Sequence, residues 1–348
     1  MNAEKKKIGL ISGISGQDGS FSAELLLEKG YEVHGIIRRS SSHNTQKIDH
    51  ILDKIHLHYG DLTDSLSIDD IICKVKPDFV FHLGAQSQVR VSFDVPAYTT
   101  HVNALGTLYM LEAVRKYCPK AKFYNAATSE LFGKVQETLQ KETTPFNPRS
   151  PYGSSKLYAY SITKLYREAY NLFAVNGILF NHESERRGDE FVTQKIVKGL
   201  INYIINDEPL YLGNLDASRD WGYTPDYVEA MWLMLQHDKP DDFVIATGET
   251  HTIKEFIEEC LKYLRIEKTI LYYEWRKDDK NRDILWDTES DKLIIGIDEK
   301  FYRPSEVEYL VGDPSKAKEK LGWEPKTKFR DLVGIMMKHK LKEYYEKE

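Results

Sequence analysis

Short apolar runs alternate along the first half of the chain with longer stretches in which apolar positions recur every three or four residues. The runs Ile8 to Ser12, Glu32 to Arg38, His56 to Tyr59, Phe79 to Leu83, Lys122 to Ala126 and Gly177 to Phe180 predict β-strands. Between them, Ser20 to Lys29, closed by Gly30, and Val102 to Tyr117, with Leu105, Leu108, Leu111 and Val114 at helical spacing, predict helices. Alternation of this kind points to a parallel sheet with helices on both faces. A further run, Phe243 to Ala246, follows the helical pattern Tyr227 to Leu235 and adds one more strand. Residues 264–300, rich in Lys, Asp and Glu, carry no clear period. The fold class is therefore α/β: a Rossmann-type doubly wound parallel sheet over 1–182 plus 216–248, with a smaller, discontinuous C-terminal substrate domain over 183–215 plus 249–348.

Composition narrows the class of function. The chain has 348 residues, 41% of them hydrophobic, which is enough for a substantial core. Lys and Arg (48) nearly balance Asp and Glu (54), leaving a net charge of −6, so no broad nucleic-acid face is expected. No stretch reaches the roughly 18 apolar residues of a membrane span, and the opening MNAEKKKIGLISG enters the first strand without a cleavable apolar region. Cys73, Cys118 and Cys260 are odd in number, far apart and free of any CxxC pair, which predicts free thiols in a reducing, cytoplasmic setting.

Gly13, Gly16 and Gly19 give a GxxGxxG turn, with Gln17 and Asp18 inside it, directly after the first predicted strand. Glycines here allow a tight turn and let a pyrophosphate approach the free N–H groups of the next helix. Where an NAD-selective site places an acidic residue after the second strand, this chain has Arg38, Arg39, Ser40 and Ser41, which suit a 2′-phosphate and favour NADP. Asp61 and Leu62 follow the third strand, and Leu83, Gly84, Ala85, Gln86 and Ser87 the fourth. Both lie at carboxyl ends of strands, where ligands bind in open α/β sheets.

Tyr152 and Lys156 stand four apart at the start of a helical segment, on one face. An ammonium about 4 Å from a phenol, at an effective dielectric of about 20, stabilises the phenolate by up to roughly 4 kcal/mol, or about three pH units. Tyr152 is thus expected to serve as a base near neutral pH. Thr128 and Ser129 end the fifth strand, placed to hydrogen-bond a substrate hydroxyl. Glu130 follows them; in the extended short-chain dehydrogenase/reductase family, which these motifs resemble, simple oxidoreductases and 4-epimerases need no carboxylate there, whereas a dehydratase does. Once C4 of a hexose is a ketone, the C5 proton becomes acidic, and a carboxylate can remove it and protonate the departing 6-hydroxyl.

The combination of GxxGxxG, Thr/Ser and YxxxK resembles the extended short-chain dehydrogenase/reductase family. Segments such as GISGQDGS, GYEVHGIIRRSSSHNT, LHYGDLTDS, KFYNAATSELFGKVQE, KETTPFNPRSPYGSSKLYAY and GNLDASRDWG narrow the likeness to its GDP-mannose 4,6-dehydratases, over nearly the whole length. The resemblance implies that Thr128, Glu130 and Tyr152 are catalytic and that Lys156 holds Tyr152 and the nicotinamide ribose. It adds Tyr98, His182 and Arg187 to the glycines and strand-end residues around NADP. It places Ser87, Glu130, Tyr152, Asn181, Lys195, Arg219, Arg303 and Glu306 at the GDP-sugar; Arg219 and Arg303 also suit a diphosphate by charge and planar geometry. The implied partner is GDP-mannose and the implied product the precursor of GDP-fucose. The implied assembly is a tetramer, or a dimer, with the Arg38 to Asn44 segment near a neighbouring subunit. His182-Glu183 lacks an HExxH context, so no metal is expected there. Four positions depart from the family pattern: Ala127 for serine, Phe132 for tyrosine, Glu185 for proline and Gln194 for arginine. A 4-epimerase or 4-reductase on the same fold is the enzymatic rival; Thr-Ser-Glu argues against it.

Overall fold

The computed structural model describes residues 6–267, 271–302, 307 and 309–346. The strands β1 (Ile8–Ser12), β2 (Glu32–Ile37), β3 (Ile55–Tyr59), β4 (Phe79–His82), β5 (Lys122–Ala126) and β6 (Phe173–Leu179) come first. After the short β7 (Asn181–Glu183), β8 (Leu210–Leu212), β9 (Ser218–Arg219) and β10 (Trp221–Tyr223), β11 (Asp242–Ile245) rejoins them. The resulting seven-stranded sheet runs β11-β6-β5-β4-β1-β2-β3 and every pairing is parallel. Strand order reverses between β1 and β4, which opens a crevice at their carboxyl ends.

Helices cover both faces, as the alternation predicts. On one side lie α1 (Gln17–Glu28) and, from later in the chain, the helix Thr224–Gln236. On the other lie α2 (Ser65–Val75), α5 (Gly106–Tyr117) and α6 (Pro151–Tyr170), preceded by the short α3 (Val89–Asp94) and α4 (Pro96–Thr100). Helix α6 starts where it does because Ser150 Oγ accepts the Gly153 N–H at 3.0 Å and Pro151 occupies the first turn. It stops at Asn171, which takes a left-handed backbone (φ 54°).

Two strands start earlier than their apolar runs suggested. β6 begins at Phe173, four residues earlier than expected, because Asn176 interrupts the apolar run yet is buried. Its amide is satisfied by Asn125 at 2.8 Å and Asp242 at 2.9 Å, and Asp242 in turn holds Arg167 through two bonds of 2.8 and 2.9 Å. The same network carries β11 back to Asp242.

A second core joins α7 (Val192–Asn206), α9 (Ile253–Ile266) and α11 (Phe329–Tyr345) around Leu285, Ile294 and Ile295. Residues 264–300, unreadable by period, contain the antiparallel β13 (Tyr273–Lys277), β14 (Asp283–Asp287) and β15 (Lys292–Ile297), with β8 added parallel to β15. β12 (His251–Thr252) pairs with β9. One part of 249–348 packs elsewhere: Ala317, in α10 (Ser315–Leu321), and Trp323 enter the core of the large sheet, where the Trp323 indole donates to Asp226 O at 2.8 Å. This segment rides on the first domain because its one large aromatic finds its cavity there. The helix Thr224–Gln236 is α8.

Candidate active site

The glycine turn closes around the end of β1. Gly13 has φ +72°, and a Cβ there would lie 2.8 Å from the Gly84 Cα; at Gly19 it would lie 2.2 Å from Gly13 O. Each position therefore admits only hydrogen, so the turn can pass close beneath the β4 loop. Gly16 donates to Gly13 O at 2.9 Å, and α1 opens at Gln17 with no side chain capping its first N–H groups, the geometry that suits a pyrophosphate.

Gln17 and Asp18 are turned toward β7. The Gln17 amide donates to His182 O at 3.1 Å and accepts from Ser184 Oγ at 2.7 Å. Asp18 Oδ2 is 3.0 Å from His182 Nε2, while His182 Nδ1 faces Phe180 O at 2.8 Å. Both ring nitrogens thus meet acceptors, which favours the doubly protonated imidazolium. Burial alone opposes that charge, but Asp18 overcomes it and raises the His182 pKa. Burial likewise works against the Asp18 carboxylate; the charge and hydrogen bond of His182, with Arg187 and Gln17, bring it down to about 2.

The loop after β4 is fixed from three sides. Ser12 Oγ accepts the Leu83 and Gly84 N–H groups, each at 3.1 Å, and is 2.9 Å from His82 Nδ1. Since Thr107 Oγ1 donates to Asn103 O and meets His82 Nε2 at 3.0 Å, the consistent assignment has His82 neutral, donating to Thr107 and accepting from Ser12. Burial, with Lys156 nearby, holds its pKa at about 3. Asn103 accepts the Gln86 N–H at 2.9 Å and donates to Gln86 O at 3.0 Å and Ser155 Oγ at 3.1 Å, so the loop is tied to the start of α6. Asn103 sits in a π turn, His101–Leu105, where a smooth α-helix from Val102 was expected; π turns recur at functional sites. Gln86 leaves Oε1 buried without a partner, Ala85 is half-buried and Ser87 is exposed. Leu62 packs beneath Gly84 and Gly106, where an added Cβ would approach it to 2.9 Å, and Asp61 Oδ1 accepts from Thr63 N and Oγ1 at 2.8 Å.

Arg38, Arg39, Ser40 and Ser41 form an exposed strip after β2, and Arg38 donates to the Tyr98 hydroxyl at 2.7 Å. Arg187 stacks on Phe191, 3.6 Å above its ring, and its Nε lies 2.9 Å from Glu183 Oε2; the pair is held by charge, since that N–H does not point at the oxygen. Sequence reasoning missed Lys47, which burial lowers and which lies among Asp189, Arg186 and Arg187. It also missed Ser12 and Asn103. A serine ending the first strand was the available signal for the former; nothing local marks the latter.

Thr128, Glu130, Tyr152 and Lys156 are all buried, and they converge. Thr128 Oγ1 caps the turn Ser129–Leu131 by accepting the Glu130 N–H at 3.2 Å, and it also hydrogen-bonds Tyr152. The expected lowering of the phenol by Lys156 does not occur. Lys156 Nζ donates to Ala126 O at 2.8 Å, and burial reduces its pKa to about 8. Tyr152 is pushed up to about 12, first by burial and then by the Glu130 charge, against the Thr128 bond and Arg187. Loss of hydration outweighs the attraction expected from helical spacing alone.

Of the substrate positions, Asn181 lies on β7 opposite Trp221, the Lys195 amino group sits 4.6 Å above the Phe301 ring, and buried Arg219 donates to Ser218 O at 2.9 Å. Arg303 and Glu306 lie outside the described residues. Among the departures, Phe132 fills an apolar cluster with Phe146 and Phe180, which needs no hydroxyl. Glu185 accepts from the Tyr223 hydroxyl at 3.4 Å.

Residues 10–336 match the family model described as GDP-mannose 4,6 dehydratase. The chain belongs to that family. It is 55% identical to the GDP-mannose 4,6 dehydratase of Cricetulus griseus, covering 95% of this chain and 91% of the relative, and 52% identical to that of Vibrio cholerae, covering 97% and 94%. Among solved structures it superimposes on a UDP-glucose 4-epimerase of Thermotoga maritima with UDP-glucose (TM-score 0.80, 23% identity, 97% and 99% coverage). It also superimposes on a dTDP-glucose 4,6-dehydratase of Bacillus anthracis in complex with NAD (TM-score 0.79, 20% identity, 97% and 98% coverage). At those identities the structures speak for the shared fold. No helix among the described residues is long and apolar enough to cross a membrane.

Proposed function

We propose that this family member is a hydro-lyase that converts GDP-mannose to GDP-4-dehydro-6-deoxy-mannose and water, with NADP as a bound cofactor. The observation that carries the reading is the burial of Glu130 beside Tyr152 and Thr128, close enough to the glycine turn for Asp18 to act on Tyr152 by charge. A redox site alone needs the phenol; the adjacent carboxylate suits elimination.

The turn fits a dinucleotide, because Gly13 and Gly19 leave hydrogen-sized space where any side chain would collide. Gly13, Gly16, Gln17, Asp18 and Gly19 would cradle the pyrophosphate side. Arg38, Arg39, Ser40 and Ser41, joined by Tyr98, would meet a 2′-phosphate. When bound, NADP supplies the acceptor for the C4 hydride and its donor to C6. Tyr152 would take the O4 proton as phenolate, with Thr128 directing it, so its phenol has to be brought down from about 12 by the positive charge of the bound oxidised cofactor; Lys156, fixed by Ala126 O, would orient the ribose. Glu130 removes the C5 proton and hands it to the 6-hydroxyl as that leaves as water; when C6 is reduced, C5 would regain the proton that Tyr152 took from O4, which restores both side chains. A carboxylate suits both steps, because it accepts a proton as base and returns it as acid. Asn181, Lys195, Arg219, Arg303 and Glu306 are assigned to the GDP-sugar by the family resemblance. Exposed Tyr158 and Leu165 on α6 support self-association, and light scattering with and without NADP tests for the expected tetramer.

Incubation of purified protein with GDP-mannose, followed by mass spectrometry, tests the function. The product is expected to be lighter by one water. A sugar nucleotide of unchanged mass would indicate epimerisation and overturn the proposal.

A further inference from the structure

Glu32, His34, His56 and His58 take no part in the chemistry above. Strands β2 and β3 pair in parallel with His34 directly opposite His56, and Glu32 precedes His34 by two residues on the same face. Glu32 Oε1 is 3.0 Å from His34 Nε2 and 3.8 Å from His56 Nε2, and all three donor atoms lie within 4.8 Å of one another. His34 Nδ1 is 2.8 Å from His58 Nε2, and those two rings stack at 5.1 Å. His34 is largely shielded while Glu32 and His56 reach solvent (side chains 12%, 42% and 61% exposed), so an ion could enter and keep water on its open side.

We propose that Glu32, His34 and His56 form a binding site for one late first-row divalent metal ion such as zinc, with His58 orienting His34. Zinc at about 2.0–2.2 Å from each donor holds tetrahedral ligands roughly 3.4 Å apart, and the two distances to Glu32 bracket that spacing. A modest rotation of the exposed His56 ring closes the third side. Two imidazoles and one carboxylate select zinc, copper or nickel over magnesium and calcium, which prefer oxygen alone.

The second nitrogen of His34 has the partner that a metal-bound histidine usually requires. Without metal, His34 Nε2–H donates to Glu32 and Nδ1 accepts from His58 Nε2–H. With metal on Nε2, the His34 proton moves to Nδ1 and is donated to His58 Nε2, while the His58 proton moves from Nε2 to Nδ1. The protons are conserved; only their positions change. The site lies toward the amino ends of β2 and β3, opposite the crevice, and β3 is the edge of the sheet. The ion would clamp that edge without touching the reaction.

Chelator-stripped full-length protein, titrated with zinc chloride by calorimetry, is expected to bind one zinc per chain, with two imidazoles in its X-ray absorption spectrum. His56→Ala, at an exposed position, should lose at least about tenfold in affinity, as should Glu32→Gln, and His58→Phe about tenfold or more. Zinc should raise the unfolding temperature of the unaltered protein and not that of His56→Ala, while turnover of GDP-mannose by His56→Ala is retained. Zinc affinity unchanged in His56→Ala, or a spectrum lacking two imidazoles, would overturn the proposal.

Discussion

Replacing Asp18 with asparagine should destabilise the cofactor-free protein in a pH-dependent way. The fall of the Asp18 pKa from 3.8 to about 2 corresponds to folded-state stabilisation on the order of 2 kcal/mol. The raised pKa of His182 reports the same interaction, so the two are not added. The Asp18 contribution is complete above pH 3.8 and disappears as pH falls through about 2. The His182 contribution is complete below pH 6.5 and disappears as pH rises through its raised folded value. The substitution should therefore cost most, on the order of 2 kcal/mol, between about pH 4 and 6.5, and less on either side. Urea denaturation of both proteins at about pH 3, 5.5 and 9 measures this difference. An equal cost at all three values would show that Asp18 and His182 are not coupled by charge.

Glu130→Gln should still permit transient C4 oxidation while abolishing exchange of the C5 hydrogen with solvent deuterium; NMR of recovered substrate and product reads this, and normal deuterium uptake would remove Glu130 from the elimination. Changing Arg38 and Arg39 to alanine should weaken NADP by about tenfold or more, as expected for losing a charged contact worth roughly 1.5–3 kcal/mol, with NAD little affected. Fluorescence titration with both cofactors measures it, and equal losses would contradict the 2′-phosphate role. Gly19→Ala, whose methyl would meet backbone at 2.2 Å, should cost about 1–3 kcal/mol in thermal unfolding and reduce NADP affinity. Unchanged unfolding and binding would show that the turn relaxes freely.

Local pattern was enough to establish the doubly wound sheet and the glycine turn and to mark Thr128, Glu130, Tyr152 and Lys156 as candidates, because each rests on residue type and short spacing; only the fold could bring Thr128 to Tyr152. Apolar periodicity marks which segments must be buried on which face, whatever their neighbours do. It fails where buried groups are polar. Asn176 and Asp242 look like strand breaks until the fold supplies Asn125 and Arg167 as partners. Charged residues 264–300 became a meander only because β8 and the second core accept their apolar side. Electrostatics was the least legible: a Tyr–Lys spacing fixes proximity, but burial and the Glu130 charge decide that Tyr152 rises instead of falling. The histidine cluster on β2 and β3 is invisible for the same reason, since its ligands come from two strands and only their register brings them together.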